Sequence, residues 1–146
     1  MIVSPFRLEM IDIPLDAPFK PRISQFTAHF WRELAAGTFT TTRCGACGRL
    51  SFPPKPICRF CWHDDLEWMP VLPQGKLYSF TTVRVPPRAF EPLSPYSVGI
   101  VDLDAGLRLA CTILGQPQQS NLDGPVRMVG LNYRDITLFG ARISGQ

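Results

Sequence analysis

Four of the chain's five cysteines fall in one short stretch: Cys44-Gly-Ala-Cys47 and, after ten intervening residues, Cys58-Arg-Phe-Cys61. Two residues between ligands let a tight turn aim both sulfurs at one point, and two such knuckles complete a tetrahedron of thiolates around a single ion. A rubredoxin-like iron site uses the same donors, but ligand type favours zinc. A redox CxxC would sit beside a strand-helix-strand pattern, which the flanking sequence lacks. Four thiolates close the coordination shell, so the metal expected at Cys44, Cys47, Cys58 and Cys61 is structural rather than catalytic, and His29 and His63 are not needed. The fifth, Cys111, lies in Leu107-Arg-Leu-Ala-Cys-Thr-Ile-Leu114, where a small buried hydrophobe in a strand is expected. A nucleophile would need a base, and no histidine lies near it in sequence. Asp102 and Asp104 flank a turn and are expected to be solvated, and there is no glycine-rich phosphate loop. No catalytic residue is assigned.

The elements that position the four sulfurs follow from the residues around them. Gly45 and Gly48 ease the first knuckle's turn. Residues 49–57, Arg-Leu-Ser-Phe-Pro-Pro-Lys-Pro-Ile, are too proline-rich for a helix and have the length of a short hairpin, so the whole reads as a zinc ribbon. A segment this small buries no self-sufficient core. Metal binding, on the order of 10 kcal/mol or more in zinc peptides, is what orders it. Replacing Cys44 or Cys58 by alanine is therefore expected to give an insoluble or partner-deficient protein.

Upstream, residues 24–36 place Phe26, Phe30, Trp31 and Leu34 at helical spacing, with Ser24 as N-cap and Gly37 as stop. His29, off that stripe, is expected to be solvated. Pro14, Pro18 and Pro21 make the preceding residues an extended arm. Downstream the texture turns to short strands at residues 75–85, 96–103, 107–114, 126–131 and 135–143, with a hairpin turn at Asp104-Ala-Gly106. Five short strands suit a small OB-type barrel, with a sandwich as the alternative. The expected organisation is arm and helix over residues 1–37, ribbon over 38–70 and barrel over 71–146, a mainly β protein with one N-terminal helix.

Composition agrees. Among 146 residues there are 15 prolines, about twice the usual proportion, which disfavours long helices and large parallel sheets. Apolar residues make up 45%, ample for a globular fold. Arg7, Glu9 and Asp12 interrupt the apolar start, so neither a signal peptide nor a membrane span is expected, and the protein reads as cytoplasmic. The net charge of +3 hides an asymmetry: residues 17–63 carry seven basic side chains against Glu33 alone. Such a patch could meet nucleic acid or phosphate, or it could offset the charge of four thiolates around one divalent ion.

In order, Phe30-Trp-Arg-Glu-Leu34, Thr42-Arg-Cys-Gly-Ala-Cys-Gly48, Phe52-Pro-Pro54, Cys58-Arg-Phe-Cys61, Leu66-Glu-Trp68, Gly75-Lys-Leu-Tyr-Ser79 and the stretch from Pro95-Tyr96 to Gly106 resemble the OB-fold proteins with a rubredoxin-like zinc ribbon that accompany thiolase-superfamily enzymes. The chain departs from that pattern at Pro73, where the family usually has a glycine ahead of Gly75, and at Asp123-Gly-Pro-Val126, where a glycine is displaced. The resemblance implies a non-catalytic subunit docked on condensing, acyl-transferring or aldolase-type partners, in some cases shaping an acyl-CoA channel. Length and texture are similar to small subunits of bacterial complexes that C-acetylate phenolic polyketides in secondary metabolism, whose partners resemble a ketoacyl synthase and a thiolase. Phe26, Phe30, Trp31, Phe52 and Phe60 are the expected docking residues, being more apolar surface than so small a module can bury. The competing reading is a single-stranded nucleic-acid binder, with Tyr78, Phe80 and Arg84 on one strand face by period-two counting. A third is a CoA-phosphate binder using Arg43, Arg49 or Arg59.

Overall fold

The computed structural model describes residues 4–144. Five strands close into the expected barrel: β5 (Gln74–Val83), β6 (Tyr96–Leu103), β7 (Arg108–Leu114), β8 (Pro125–Asn132) and β9 (Thr137–Ile143). Neighbours run β5-β6-β7-β9-β8 and back to β5; every pair is antiparallel except β7 with β9. Alternation drives the closure. Along β6, Ser97, Gly99, Val101 and Leu103 turn inward while the residues between them are partly exposed. Gly75 is required where β5 meets β6, because a Cβ there would lie 2.5 Å from the Asp102 carbonyl oxygen. The departure at Pro73 is absorbed, since its carbonyl accepts the Met128 N–H at 2.8 Å.

Period-two counting fails at one point. The register between β5 and β6 slips between Leu77 and Ser79, a bulge that turns Tyr78 outward (51% exposed) while Phe80 packs against the core. Tyr78 and Phe80 therefore do not form one exposed stacking face.

The arm is more than a connector. β1 (Glu9–Asp12) pairs parallel with β8 over Val129–Asn132, beyond the point where β5 leaves that edge. Arg142 on β9 bonds Glu9 on β1, tying the added strand down. The helix is shorter than the apolar spacing suggested: α1 spans Ala28–Ala35, and residues 24–27 form a turn in which Ser24 and Thr27 exchange side-chain bonds to each other's N–H groups (3.0 and 2.8 Å). Gly37 stops it as expected, at φ +99°, with the Gly37 and Thr38 N–H groups closing on the Leu34 and Glu33 carbonyls.

Before the barrel, β2 (Thr40–Cys44), β3 (Leu50–Ser51) and β4 (Leu66–Pro70) form a separate sheet in the order β3-β2-β4. The hairpin expected within residues 49–57 does not form. Pro53, Pro54 and Pro56 lack the N–H a second strand would need, so the two-residue β3 pairs back onto β2 around the first knuckle. The buried Thr41 hydroxyl donates to the Ser51 carbonyl across that pairing.

Ribbon, helix and barrel share one core. Phe30 on α1, Phe39 before β2, Phe52 after β3 and Phe139 on β9 meet edge-on or tilted, with ring centroids 5.3–5.9 Å apart. Such contacts add to the burial of their rings. No helix among the described residues is long and apolar enough to cross a membrane.

Candidate metal centre and its surroundings

Hydrogen bonding builds the two knuckles alike. In the first, the Cys44 N–H bonds the Arg49 carbonyl at 3.0 Å and the Gly48 N–H bonds the Cys44 carbonyl at 2.8 Å. In the second, the Cys58 N–H bonds the His63 carbonyl at 2.8 Å and the Trp62 N–H bonds the Cys58 carbonyl at 2.9 Å. Inside each turn an amide points at sulfur: Ala46 N–H to Cys44 Sγ at 3.3 Å, and Phe60 N–H to Cys58 Sγ at 3.4 Å. The Gly45 N–H to Asp65 carbonyl bond, 2.7 Å, fastens the first turn to the segment leaving the second.

The result places all four sulfurs within 4.8 Å of one another, with Cys44 and Cys61 3.5 Å apart and Cys47 and Cys58 3.6 Å apart. A tetrahedron with metal–sulfur bonds of about 2.3 Å has edges of about 3.8 Å, so the quartet fits a four-thiolate ion. Its electrostatics fit too. The Cys61 and Phe60 amides and neighbouring thiols bring Cys58 down to about 6 against the effect of burial. The Cys47 amide, with that of Ala46, similarly lowers Cys44. Cys61 is drawn down by the His63 amide but pushed up to about 12 by the nearby Cys44, Cys58 and Cys47 sulfurs and by burial. The raised Cys61 thiol favours keeping its proton, and a divalent ion at the centre of the quartet would supply the charge that favours its thiolate.

The surrounding arginines have other tasks than facing the sulfurs. Arg49 and Arg59 stack over the Phe60 ring at 4.9 and 4.7 Å, and Arg43 donates to the Gly48 carbonyl. Asp102 is solvent-exposed as expected and, at the surface, binds Arg108 through two bonds of 2.6 and 3.0 Å, while Arg108 lies 3.9 Å over the Tyr78 ring. That hydrogen-bonded pairing holds the Asp102 carboxyl below its usual range. His29, also expected in solvent, packs at 4.5 Å on Trp68. Cys111 faces the barrel, and burial pushes its thiol up to about 12, so it is neutral at physiological pH.

The five expected docking aromatics divide. Phe30 is 3% exposed and belongs to the shared core, which removes it from any docking surface. Trp31 and Phe52 are half-buried against the same cluster, and Phe26 is half-buried on Trp68 at 5.2 Å. Their rings found partners in the barrel and ribbon of their own chain. Phe60 remains exposed at 41%, joined by Ile57 and by Trp62 at 79%.

Trp62 was missed, although the sequence held its signal. It follows the second cysteine of its knuckle as Gly48 follows the second cysteine of the first, and both adopt left-handed backbone, φ +66° and +78°. Glycine takes that conformation freely; tryptophan does so at a cost of roughly 1–2 kcal/mol. A strained backbone carrying a solvent-facing indole is poor economy for folding alone.

Comparison with known proteins matches the same two units. Residues 31–67 fit the family described as "ChsH2, rubredoxin-like zinc ribbon domain", and residues 68–131 the family "ChsH2, C-terminal OB-fold domain". The benzoylsuccinyl-CoA thiolase subunit BbsA of Thauera aromatica is 34% identical over 93 residues, 64% of this chain and 63% of that subunit. The chain thus spans less than two thirds of that relative's length. A DUF35 domain-containing scaffold protein of Pyrococcus furiosus is 33% identical over 69% of this chain and 76% of its own. Among solved structures, a chain of the Ltp2-ChsH2(DUF35) aldolase superposes with a TM-score of 0.75 at 30% identity, covering 86% of this chain and 99% of that one. With the four-cysteine knuckles and the closed barrel in place, these matches put the chain in the DUF35 family, in which a ChsH2-type zinc ribbon precedes an OB-fold domain.

Proposed function

We propose that this chain is a non-catalytic interaction subunit that holds one structural zinc and docks, through the outer face of its ribbon, on a thiolase-superfamily enzyme. The observation that carries this is the exposure of three large apolar side chains along the second knuckle, Ile57, Phe60 and Trp62, with Trp62 held 79% exposed in left-handed backbone. Large exposed aromatics on a rigid frame are the composition of interface centres. Relatives carrying thiolase-subunit and aldolase names support the partner class. Cys44, Cys47, Cys58 and Cys61 hold the ion, which supplies charge and rigidity. The chain's own residues supply the docking face, and the acyl-transfer chemistry belongs to the partner's cysteine.

In finer detail, the partners are a thiolase-like and a ketoacyl-synthase-like subunit, and the reaction is C-acetylation of a phenolic polyketide such as acetylphloroglucinol, with acyl-CoA approaching the shared interface. The overall length and texture noted in the sequence support this reading. Nucleic-acid binding is disfavoured because Tyr78 lies under Arg108, Phe80 packs on the core, and two ribbon arginines are stacked on Phe60.

Affinity purification of the tagged chain from its native cell tests the reading. A thiolase-type enzyme whose activity falls when this chain is withheld is the expected result. Oligonucleotide binding with a steep salt dependence and no such enzyme would overturn it.

A further inference from the structure

The ribbon carries charge that nothing in the chain answers. Residues 43–63 hold Arg43, Arg49, Lys55 and Arg59, all exposed, and no Asp or Glu. That is more positive charge than a four-thiolate divalent centre would offset. Among the described residues the ion pairs are Arg108 with Asp102 and Arg142 with Glu9, so none of these four cations is paired with a carboxylate. Two of them are also held close together: the Arg49 and Arg59 guanidinium carbons lie 4.9 and 4.7 Å from the centroid of the same Phe60 ring. Their charges are therefore within about 10 Å of each other, about the screening length in 0.1 M salt. The ring attracts each guanidinium and orients it, but their mutual repulsion has no counterion within the chain.

The surface beside them is concave. Arg43, Arg49 and Phe60, with Leu50, Met69 and Gly106, line a depression of about 580 Å³ between the ribbon and the turn that follows β6. Its charged lining residues are both arginines, and the half-buried Leu50 and Met69 give it an apolar part. This combination discriminates between anions. A free phosphate would answer the guanidiniums and leave the apolar lining wet. A nucleic-acid strand stacks its bases on open aromatic rings, whereas the Phe60 ring already carries two guanidiniums. A protein segment that sets carboxylates beside an apolar side chain answers both the charge and the lining. Guanidiniums already oriented on a ring lose less freedom on meeting a carboxylate than mobile ones.

We propose that this basic depression receives an acidic segment of the partner enzyme, whose Asp or Glu carboxylates pair with Arg49 and Arg59 while an apolar side chain enters beside Leu50 and Met69. The proposal rests on the docking reading above and adds the chemistry of the surface that is docked. Ile57 and Trp62 supply apolar contact along the second knuckle, and the arginines supply register and speed of encounter.

Two measurements on the complex purified from its native cell test this. In the first, Arg59→Lys keeps the charge and places an amine at the site, and carbodiimide coupling joins amines to carboxylates in direct contact. Peptide mass spectrometry should find residue 59 joined to an Asp or Glu of the thiolase-type partner. In the second, the partner is titrated against parent, Arg49→Glu, Arg59→Glu and Arg88→Glu chains. Arg88→Glu makes the same change of charge on the connection between β5 and β6. The two ribbon reversals should weaken binding about 30-fold or more, largely through slower association, with metal content unchanged, and Arg88→Glu should weaken it less than about threefold. Affinity of the parent should fall between about 50 and 300 mM salt, less steeply for Arg49→Gln and Arg59→Gln. Those two variants decide the matter if the reversed chains lose their metal. Folded ribbon reversals that bind like the parent, or binding indifferent to salt, would overturn the acidic surface and leave docking standing. Residue 59 coupled to carboxylates of a protein unrelated to thiolases would support the acidic surface and overturn the partner class. A single-stranded oligonucleotide bound more tightly than any protein partner at 0.15 M salt would overturn both.

Discussion

Replacing Trp62 by glycine separates docking from folding, because the two readings of this residue give opposite signs. Its backbone sits at φ +66°, where a side chain costs roughly 1–2 kcal/mol that glycine does not incur. Against that, glycine gains freedom in the unfolded chain, which offsets about 0.5–1 kcal/mol. The indole is 79% exposed, so little buried apolar area is lost with it. The net expectation for Trp62→Gly is a chain of equal or greater stability, by up to about 1 kcal/mol, which for this size raises Tm by about 2–4 °C. Gly48→Ala is the mirror experiment: the added Cβ would meet only the Arg43 side chain at 3.9 Å, yet the left-handed backbone should lower stability by about 1 kcal/mol. Docking moves the other way. An indole at an interface centre contributes about 2 kcal/mol or more, so Trp62→Gly should weaken partner binding roughly 30-fold or more. Urea unfolding and a binding titration against the thiolase-type partner read the two effects on one preparation. A Trp62→Gly chain that loses more than about 1 kcal/mol, or that binds its partner like the parent, would refute the assignment.

Other perturbations probe other layers. Cys58→Ala should abolish metal binding and hydrogen-exchange protection across β2–β4 while the barrel strands stay protected, because Phe39, Phe52 and Phe139 anchor the ribbon to a core that does not need the ion. This sharpens the sequence expectation of an insoluble or partner-deficient protein; elemental analysis with exchange mass spectrometry checks it, and unfolding of the whole chain would contradict it. Phe30→Ala should cost about 3–5 kcal/mol in a denaturant melt, since the ring is 3% exposed and touches several others. Asp102→Asn should cost less than about 1 kcal/mol, both partners being well exposed. The Asp102 carboxyl is lowered by Arg108, so its contribution is complete above the ordinary carboxylate value near 4 and disappears as pH falls through the lower folded value. Melts of parent and variant should therefore differ by a constant amount from pH 5 to 8 and converge in acid, whereas a gap that widens in acid would contradict the pairing.

Local patterns were legible and distant ones were not. The metal quartet is written in two turns of four residues, each specified by its own spacing, and the barrel strands announce themselves by alternation. The strand at Glu9–Asp12 was read as arm because its partner, Val129–Asn132, lies more than a hundred residues away and a parallel pairing leaves no turn signal between them. Helical spacing showed that Phe30 and Trp31 share a face, but not that this face would be covered by Phe39, Phe52 and Phe139 from three other segments of the same chain. The bulge at Tyr78 breaks a count that assumes unbroken pleating. Trp62 was hidden for a different reason: its importance lies in a backbone angle, visible only when the two knuckles are compared residue by residue.

The central claim, that a metal-ordered ribbon docks a non-catalytic chain on a thiolase-type enzyme, is most directly tested by native mass spectrometry of the co-expressed pair. The measurement compares parent, Cys58→Ala and Trp62→Gly chains. A single assembly containing both subunits and one zinc for each copy of this chain is expected, lost with Cys58→Ala and weakened with Trp62→Gly although the latter chain remains folded and metallated. An assembly that forms equally with all three chains, or a partner that never associates with the metallated parent, would contradict the account.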